Sequence, residues 1–332
     1  MAIHEIIKLG VKIAIPLGAA LMAAGGKMHH DSKKTIEQCQ AELDAATAEY
    51  EAVRKRAVAA ADDLGRLELE VQEDFVRFAD AFEMIKNRPR FSDMDLSDGF
   101  DLPVLKVGEL KKASIKAANL LCGAVAMAGA GTFAGAAIYG GVLTLGVAST
   151  GTPIVMLAGA AAKNAALAAL GGGSIATGGG GMAAGTMLLG GAVAAAAIVA
   201  GGTALAVKGL MDRGKAKKAK GILTEAVADL ETSKEFMKRL RSAADLHRRA
   251  IEEVYGVYIE EVSKLEELVS RKKSYRAFTE EEKVLLSNNI LLVKLLKEMT
   301  ETALVGGKKD EVMDERIKAL VEKSSDVLAS LG

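Results

Sequence analysis

An all-α fold is predicted for this chain, with long helical rods on either side of a Gly/Ala-rich apolar region. Three observations predict it. Apolar residues recur three and four apart through both polar flanks. No sustained period-2 alternation rich in Val, Ile and Thr marks a strand. Between Ala117 and Val207, 91 residues carry one charge, Lys163, while both flanks are dense in Lys, Arg, Glu and Asp.

Residues 1–30 form an apolar N-terminal segment. The stretch 13–26, IAIPLGAALMAAGG, follows Lys8 and Lys12 and ends in small residues, as a signal peptide does. Glu5 interrupts its basic region and Lys27 follows at once, and the stretch is short for a span. It is expected to be a cleaved signal, which would send the chain out of the cell, a retained anchor, or an apolar helix packed on the rest.

Residues 31–89 read as one long helix, about 32 to 86. Its stripe is Ile36, Cys39, Leu43, Ala46, Tyr50, Val53, Ala57, Ala60, Leu64, Leu67 and Val71, alternating threes and fours as a coiled-coil seam does. Phe75, Phe78, Phe82 and Ile85 extend it, and Asn87-Arg88-Pro89 ends it. Residues 90–116 are a linker and basic flank. Asp93, Asp95, Asp98 and Asp101 there lack the spacing and distal Glu of a calcium loop.

Residues 117–207 are the predicted membrane-inserting region. Ala117 to about Val142 and Met182 to Val207 are long enough to span, with a weaker apolar helix from Ile154 to Leu170 and a Gly-rich turn at 171–181. Small residues four apart, Gly131 with Gly135 and Gly181 with Gly185, permit close backbone packing in lipid. Gly190 and Gly191 lie near the centre of the second span. That span holds seven Leu, Ile or Val residues. At roughly 0.3 to 0.6 kcal/mol each they favour insertion by about 2 to 4 kcal/mol, which makes it marginal.

The flanks of this region are cationic. Lys111, Lys112 and Lys116 precede it, and Lys208, Arg213, Lys215, Lys217 and Lys218 follow it. They are predicted to contact lipid head groups and to hold both flanks on the cytoplasmic side, with an even number of crossings.

Residues 208–273 read as a second long helix. Its stripe includes Leu223, Val227, Leu230, Met237, Leu240, Ala243, Ala250, Val254, Tyr258, Val262, Leu265 and Val269. Residues 274–332 hold shorter amphipathic helices: one opened by the capping box Thr279–Glu282 and stopped at Gly306-Gly307, and one from about Asp310 to Leu331. The two rods are expected to pack antiparallel, with the apolar insert as a hairpin at one end.

Catalytic chemistry is not legible. There is no nucleophile elbow, no paired His–Glu motif and no GxxxxGK[ST] loop. His29-His30 reads as a solvated junction and His247, amid Arg and Glu, as surface. Cys39 and Cys122 form no metal-type pair and read as buried small hydrophobes. The expectation is therefore no enzyme, no metal and no cofactor. With 43 basic and 43 acidic residues in balance, no nucleic-acid partner is expected either.

Long helices around a Gly/Ala-rich hairpin resemble the α-helical pore-forming proteins of the cytolysin A and haemolysin BL type. The stretch GGGSIATGGGGMAAGTMLLGG, residues 171–191, is similar to the glycine-rich membrane regions of apolipoprotein-L-like proteins. These resemblances imply conditional insertion, homo-oligomerisation through the rods and permeabilisation of a bilayer. The cationic hairpin flanks depart from the secreted toxins and leave an intracellular effector equally open. A non-lytic membrane scaffold and a soluble helical bundle with a buried apolar hairpin are the competing expectations.

Overall fold

A computed structural model describes residues 30–88, 100–125, 133–139, 216–306 and 311–331, and they are predominantly helical. In chain order, α1 is His30–Met84 and α2 is Val107–Val125. Next come α3, Ala134–Tyr139, and α4, Ala216–Arg271. A 3-10 turn at Tyr275–Ala277 leads into α5, Glu280–Glu301. A two-stranded antiparallel ribbon, β1 (Val305–Gly306) with β2 (Glu311–Val312), precedes α6, Asp314–Ser330. At 55 and 56 residues, α1 and α4 are each about 80 Å long.

The stripes seen in the sequence are the buried faces. On α1, Leu43, Tyr50, Ala57, Ala60, Leu64, Val71, Phe75, Phe78 and Phe82 are buried, as is Ile85 just past its end. On α4, Met237, Leu240, Ala243, Ala250, Val254, Tyr258, Val262, Leu265 and Val269 are buried. One apolar cluster joins these faces to α5, α6 and both strands. The capping box is formed: Glu282 N–H donates to Thr279 Oγ1 at 3.3 Å, and Thr279 N–H to Glu282 Oε2 at 2.8 Å.

The direction of α4 corrects the expected arrangement. Lys234 Nζ meets Glu49 at 2.7 Å, across a sequence separation of 185. Tyr255 and Tyr258 hydroxyls reach Asp74 across 181 and 184. Arg77 reaches Ser263 and Glu266 across 186 and 189. A near-constant offset means that α1 and α4 run parallel, not antiparallel. At their ends Lys86 N–H donates to the Lys273 carbonyl at 2.7 Å and Tyr275 N–H to the Lys86 carbonyl at 3.0 Å. Asn87 follows with φ of 54°, a left-handed conformation that Asn tolerates, and turns the chain away. The physical reason is the length of the connection. Residues 85 to 215 suffice to carry the chain back down the rod before α4 starts.

The antiparallel members of the bundle are α2 and α5. Lys111 lies by Asp80 and Glu83, and Ser114 by Glu73, so α2 descends along α1. Asn289 donates to the Glu261 carbonyl at 3.0 Å, and His247 pairs with the Met299 carbonyl, so α5 descends along α4.

Further corrections follow. Residues 107–116, expected as linker, are the first half of α2, and its run continues into residues expected to begin a span. The ribbon was unforeseen: α5 ends at Glu301, and Gly306 lies in β1 instead of stopping a helix. Cys39 is buried as expected, but Cys122 is exposed.

Candidate functional site

The described part of the apolar region is its entry, where α2 and α3 dock on α1. On α2, Leu110, Ser114 and Ala117 are buried at four- and three-residue spacing. Ser114 Oγ donates to the Glu73 carbonyl at 2.5 Å. Lys111 Nζ sits 2.7 Å from both Asp80 and Glu83, and those hydrogen bonds hold its pKa above the usual lysine range. Ala117 closes on Leu69 and Phe133, with Leu120 and Leu121 packed against them.

At α3 the backbone comes onto α1. The Asp62 carboxylate accepts from Phe133 N–H at 2.6 Å and Ala134 N–H at 3.2 Å, capping α3 from a different helix. Burial raises the Asp62 pKa, while the two N–H donors and Arg66 oppose that rise. Three residues on, Gly65 makes the approach possible. A Cβ there would stand 2.1 Å from the Phe133 carbonyl oxygen, so only glycine fits. Arg66 lies over the Phe133 ring at 5.1 Å. On the far side, Leu304 N–H donates to the Ala137 carbonyl at 3.0 Å, and Phe133, Ala134, Ala137 and Ile138 are all buried.

Two buried polar groups lie in the bundle beside this dock. Glu68, 1% exposed, has no hydrogen-bond partner among the described residues for either carboxylate oxygen, and burial pushes its pKa well above the ordinary range. His247, 0% exposed, corrects the surface reading. Its Nε2 donates to the Met299 carbonyl at 3.0 Å, which leaves Nδ1 as an acceptor with no partner among the described residues. Burial lowers its pKa to about 4, against the opposing Met299 bond. Its position had a signal in the sequence: Ala243, His247, Ala250 and Val254 share one stripe. Asp62 and Gly65 had a weaker one, a glycine inside a long helical run.

The structure places the expected head-group residues differently from one another. Lys111 is committed to carboxylates of α1, Lys112 is exposed and Lys116 is half-buried. Lys217 and Lys218 belong to the first turn of α4, and Gly135 belongs to α3. Gly131, Gly181, Gly185, Gly190, Gly191, Lys208, Arg213 and Lys215 lie outside the described residues, as do the second span and the N-terminal segment. Among the described residues no helix is long and apolar enough to cross a membrane. Nor does any group of three or more His, Cys, Asp or Glu among them suit a metal. No known family, curated protein or solved structure matches this chain.

Proposed function

We propose that the chain is a non-enzymatic, membrane-inserting helical effector that oligomerises through its long helices and permeabilises a bilayer with residues 117–207. The observation that carries this reading is the single charge in those 91 residues, set between polar flanks. In this reading 117–207 enters lipid as a hairpin, the rods associate in coiled-coil fashion outside, and the flanks stay on the cytoplasmic side. Packing of α2 and α3 on α1 supports a conditional step, because those residues must leave α1 before they enter lipid.

The same packing favours a second, non-lytic reading, a soluble helical bundle in which the apolar hairpin stays buried; a membrane-anchored scaffold or adaptor is the other non-lytic alternative. Dye release from liposomes by the purified chain separates the lytic reading from the non-lytic ones. Gly191→Asp places a charge near the centre of the second span, at a cost of about 2.5 to 3.5 kcal/mol on the insertion scale. That matches the span's whole apolar gain. Leakage should fall to background while circular dichroism stays helical. Undiminished leakage with Gly191→Asp would exclude this segment, and absence of leakage in the unmodified chain would leave the two non-lytic readings.

A further inference from the structure

The charges along the seam between α1 and α4 are complementary at two levels. Glu49 meets Lys234 at 2.7 Å, and Arg77 meets Glu266 at 2.6 Å. Between those levels the pattern inverts. With the offset of 185 given by Glu49 and Lys234, Arg56 of α1 falls level with Arg241 of α4, and Val53 with Lys238. These four residues, with Ser242 and Asp245, line one cleft of about 390 Å³. Three cations thus face one carboxylate where the parallel rods meet.

Among the described residues neither guanidinium is used up. The positions three and four residues either side of Arg56 are Ala52, Val53, Ala59 and Ala60, so its own helix offers no carboxylate. Among the described residues Arg56 makes no ion pair. Arg241 has only a 3.5 Å approach of Nε to Asp245. Lys238 holds Glu235 one turn back on its own helix, with both ends more than half exposed, a pair that water and salt readily exchange. Two arginine forks and a lysine around an open cleft are the geometry that matches tetrahedral oxyanions. Like charges set level across a helix seam oppose packing, and a bound dianion between them reverses the sign.

We propose that this cleft binds a phosphate group, gripped by Arg56 from one rod and by Lys238 and Arg241 from the other, with the Ser242 hydroxyl as a further donor. The cleft volume lies in the range of small-ligand sites, so the phosphate can be carried on a small organic group. The phosphate-bearing molecule is a soluble ester or the head group of a phospholipid. The site does not rest on the membrane reading, because it lies on the described rods and not in residues 117–207.

The test uses the full chain and inorganic phosphate, against chloride at equal ionic strength. At tenfold excess over its dissociation constant, phosphate should raise the melting temperature by about 2 to 4 °C. In chloride alone, Arg56→Gln and Arg241→Gln should melt at or above the unmodified protein, because a repulsion is removed. Both should lose the phosphate response. Arg276→Gln, an exposed arginine outside the cleft, should keep it. No phosphate response in the unmodified chain, or an equal response in Arg56→Gln and Arg241→Gln, overturns the proposal.

Co-sedimentation with phosphatidylcholine vesicles, with and without phosphatidic acid, then assigns the source. Binding to phosphatidic acid that falls at least tenfold in both variants assigns a lipid head group. Unchanged vesicle binding, with the phosphate response lost, assigns a soluble phosphate ester. Dye release by Arg56→Gln is scored separately, so failure of permeabilisation and failure of this site are distinguishable.

Discussion

Along the seam between α1 and α4 the buried side chains include many large ones, Phe75, Phe78 and Phe82 on one rod and Tyr258, Leu265 and Ile251 on the other, beside alanines such as Ala57 and Ala250. Along the dock of α3 they are half small and half large, Ala134 and Ala137 beside Phe133 and Ile138. The seam gains most from apolar area, which is non-directional and shared among many residues. The dock gains from backbone contact, two N–H bonds to Asp62 and one between Leu304 and Ala137. A contact of the second kind can be undone by one atom in the wrong place, whereas the first erodes gradually. The described entry of the apolar region is thus fastened to the bundle by the contact that depends more on exact backbone placement.

The largest expected effect lies in the seam. Phe78→Ala removes a fully buried ring and should cost about 3 to 5 kcal/mol, read as a lower denaturant midpoint for the whole bundle. A loss confined to α2 and α3 would mean that the seam and the dock are not separate.

Acid should act next. His247 is neutral in the fold with a pKa near 4, while the unfolded chain titrates near 6.5. The unfolded state therefore takes up the proton first. His247 stabilisation is complete above about pH 6.5 and is lost progressively down to pH 4, a change of about 3 kcal/mol. Glu68 works in the opposite sense, since a raised carboxyl pKa favours the fold toward low pH. The His247 contribution is isolated by comparing the stability of the unmodified protein with His247→Gln across that window. Parallel pH profiles for the two would remove His247 as the cause.

Gly65→Ala sharpens the comparison at the dock. The added Cβ meets backbone, which cannot swing aside, so α3 must move at a cost of about 1 to 3 kcal/mol. Hydrogen exchange at Phe133–Tyr139 should accelerate while Val254–Val269 stays protected. Equal acceleration in both would show one cooperative unit. Asp62→Ala, the smallest change, removes the cap alone and should cost about 1 kcal/mol, with Asp62→Asn restoring most of it. Exchange at Ala134 in the Ala variant matching the unmodified rate would show that the cap contributes nothing.

Much of the bundle was legible because period 3.6 is written in the stripes and Thr279–Glu282 announces a helix start. Helix direction was not legible from periodicity, which identifies a buried face and not the sense in which it is traversed. Pairs such as Glu49 with Lys234 and Arg77 with Glu266 carry the direction, but only once their common offset is sought. His247 was hidden by its charged neighbours Asp245, Arg248 and Arg249, although its place in the stripe argued for burial. The dock was hidden for a different reason. Asp62 and Gly65 act on backbone groups about 70 positions away, and no local pattern encodes such a contact.

The parallel direction of α1 and α4 also sets an order of events at the ribosome. The residues that cover the apolar face of α1 lie about 185 positions downstream. At the usual pace of synthesis that is a delay on the order of 10 to 40 s, during which α1 has emerged without its partner. In that interval α2 and α3 are the first elements able to shelter part of α1. The Gly/Ala-rich stretch, made next, is synthesised before any of α4 exists. Each new chain therefore passes through a period in which its most apolar residues are made and its longest seam is still open.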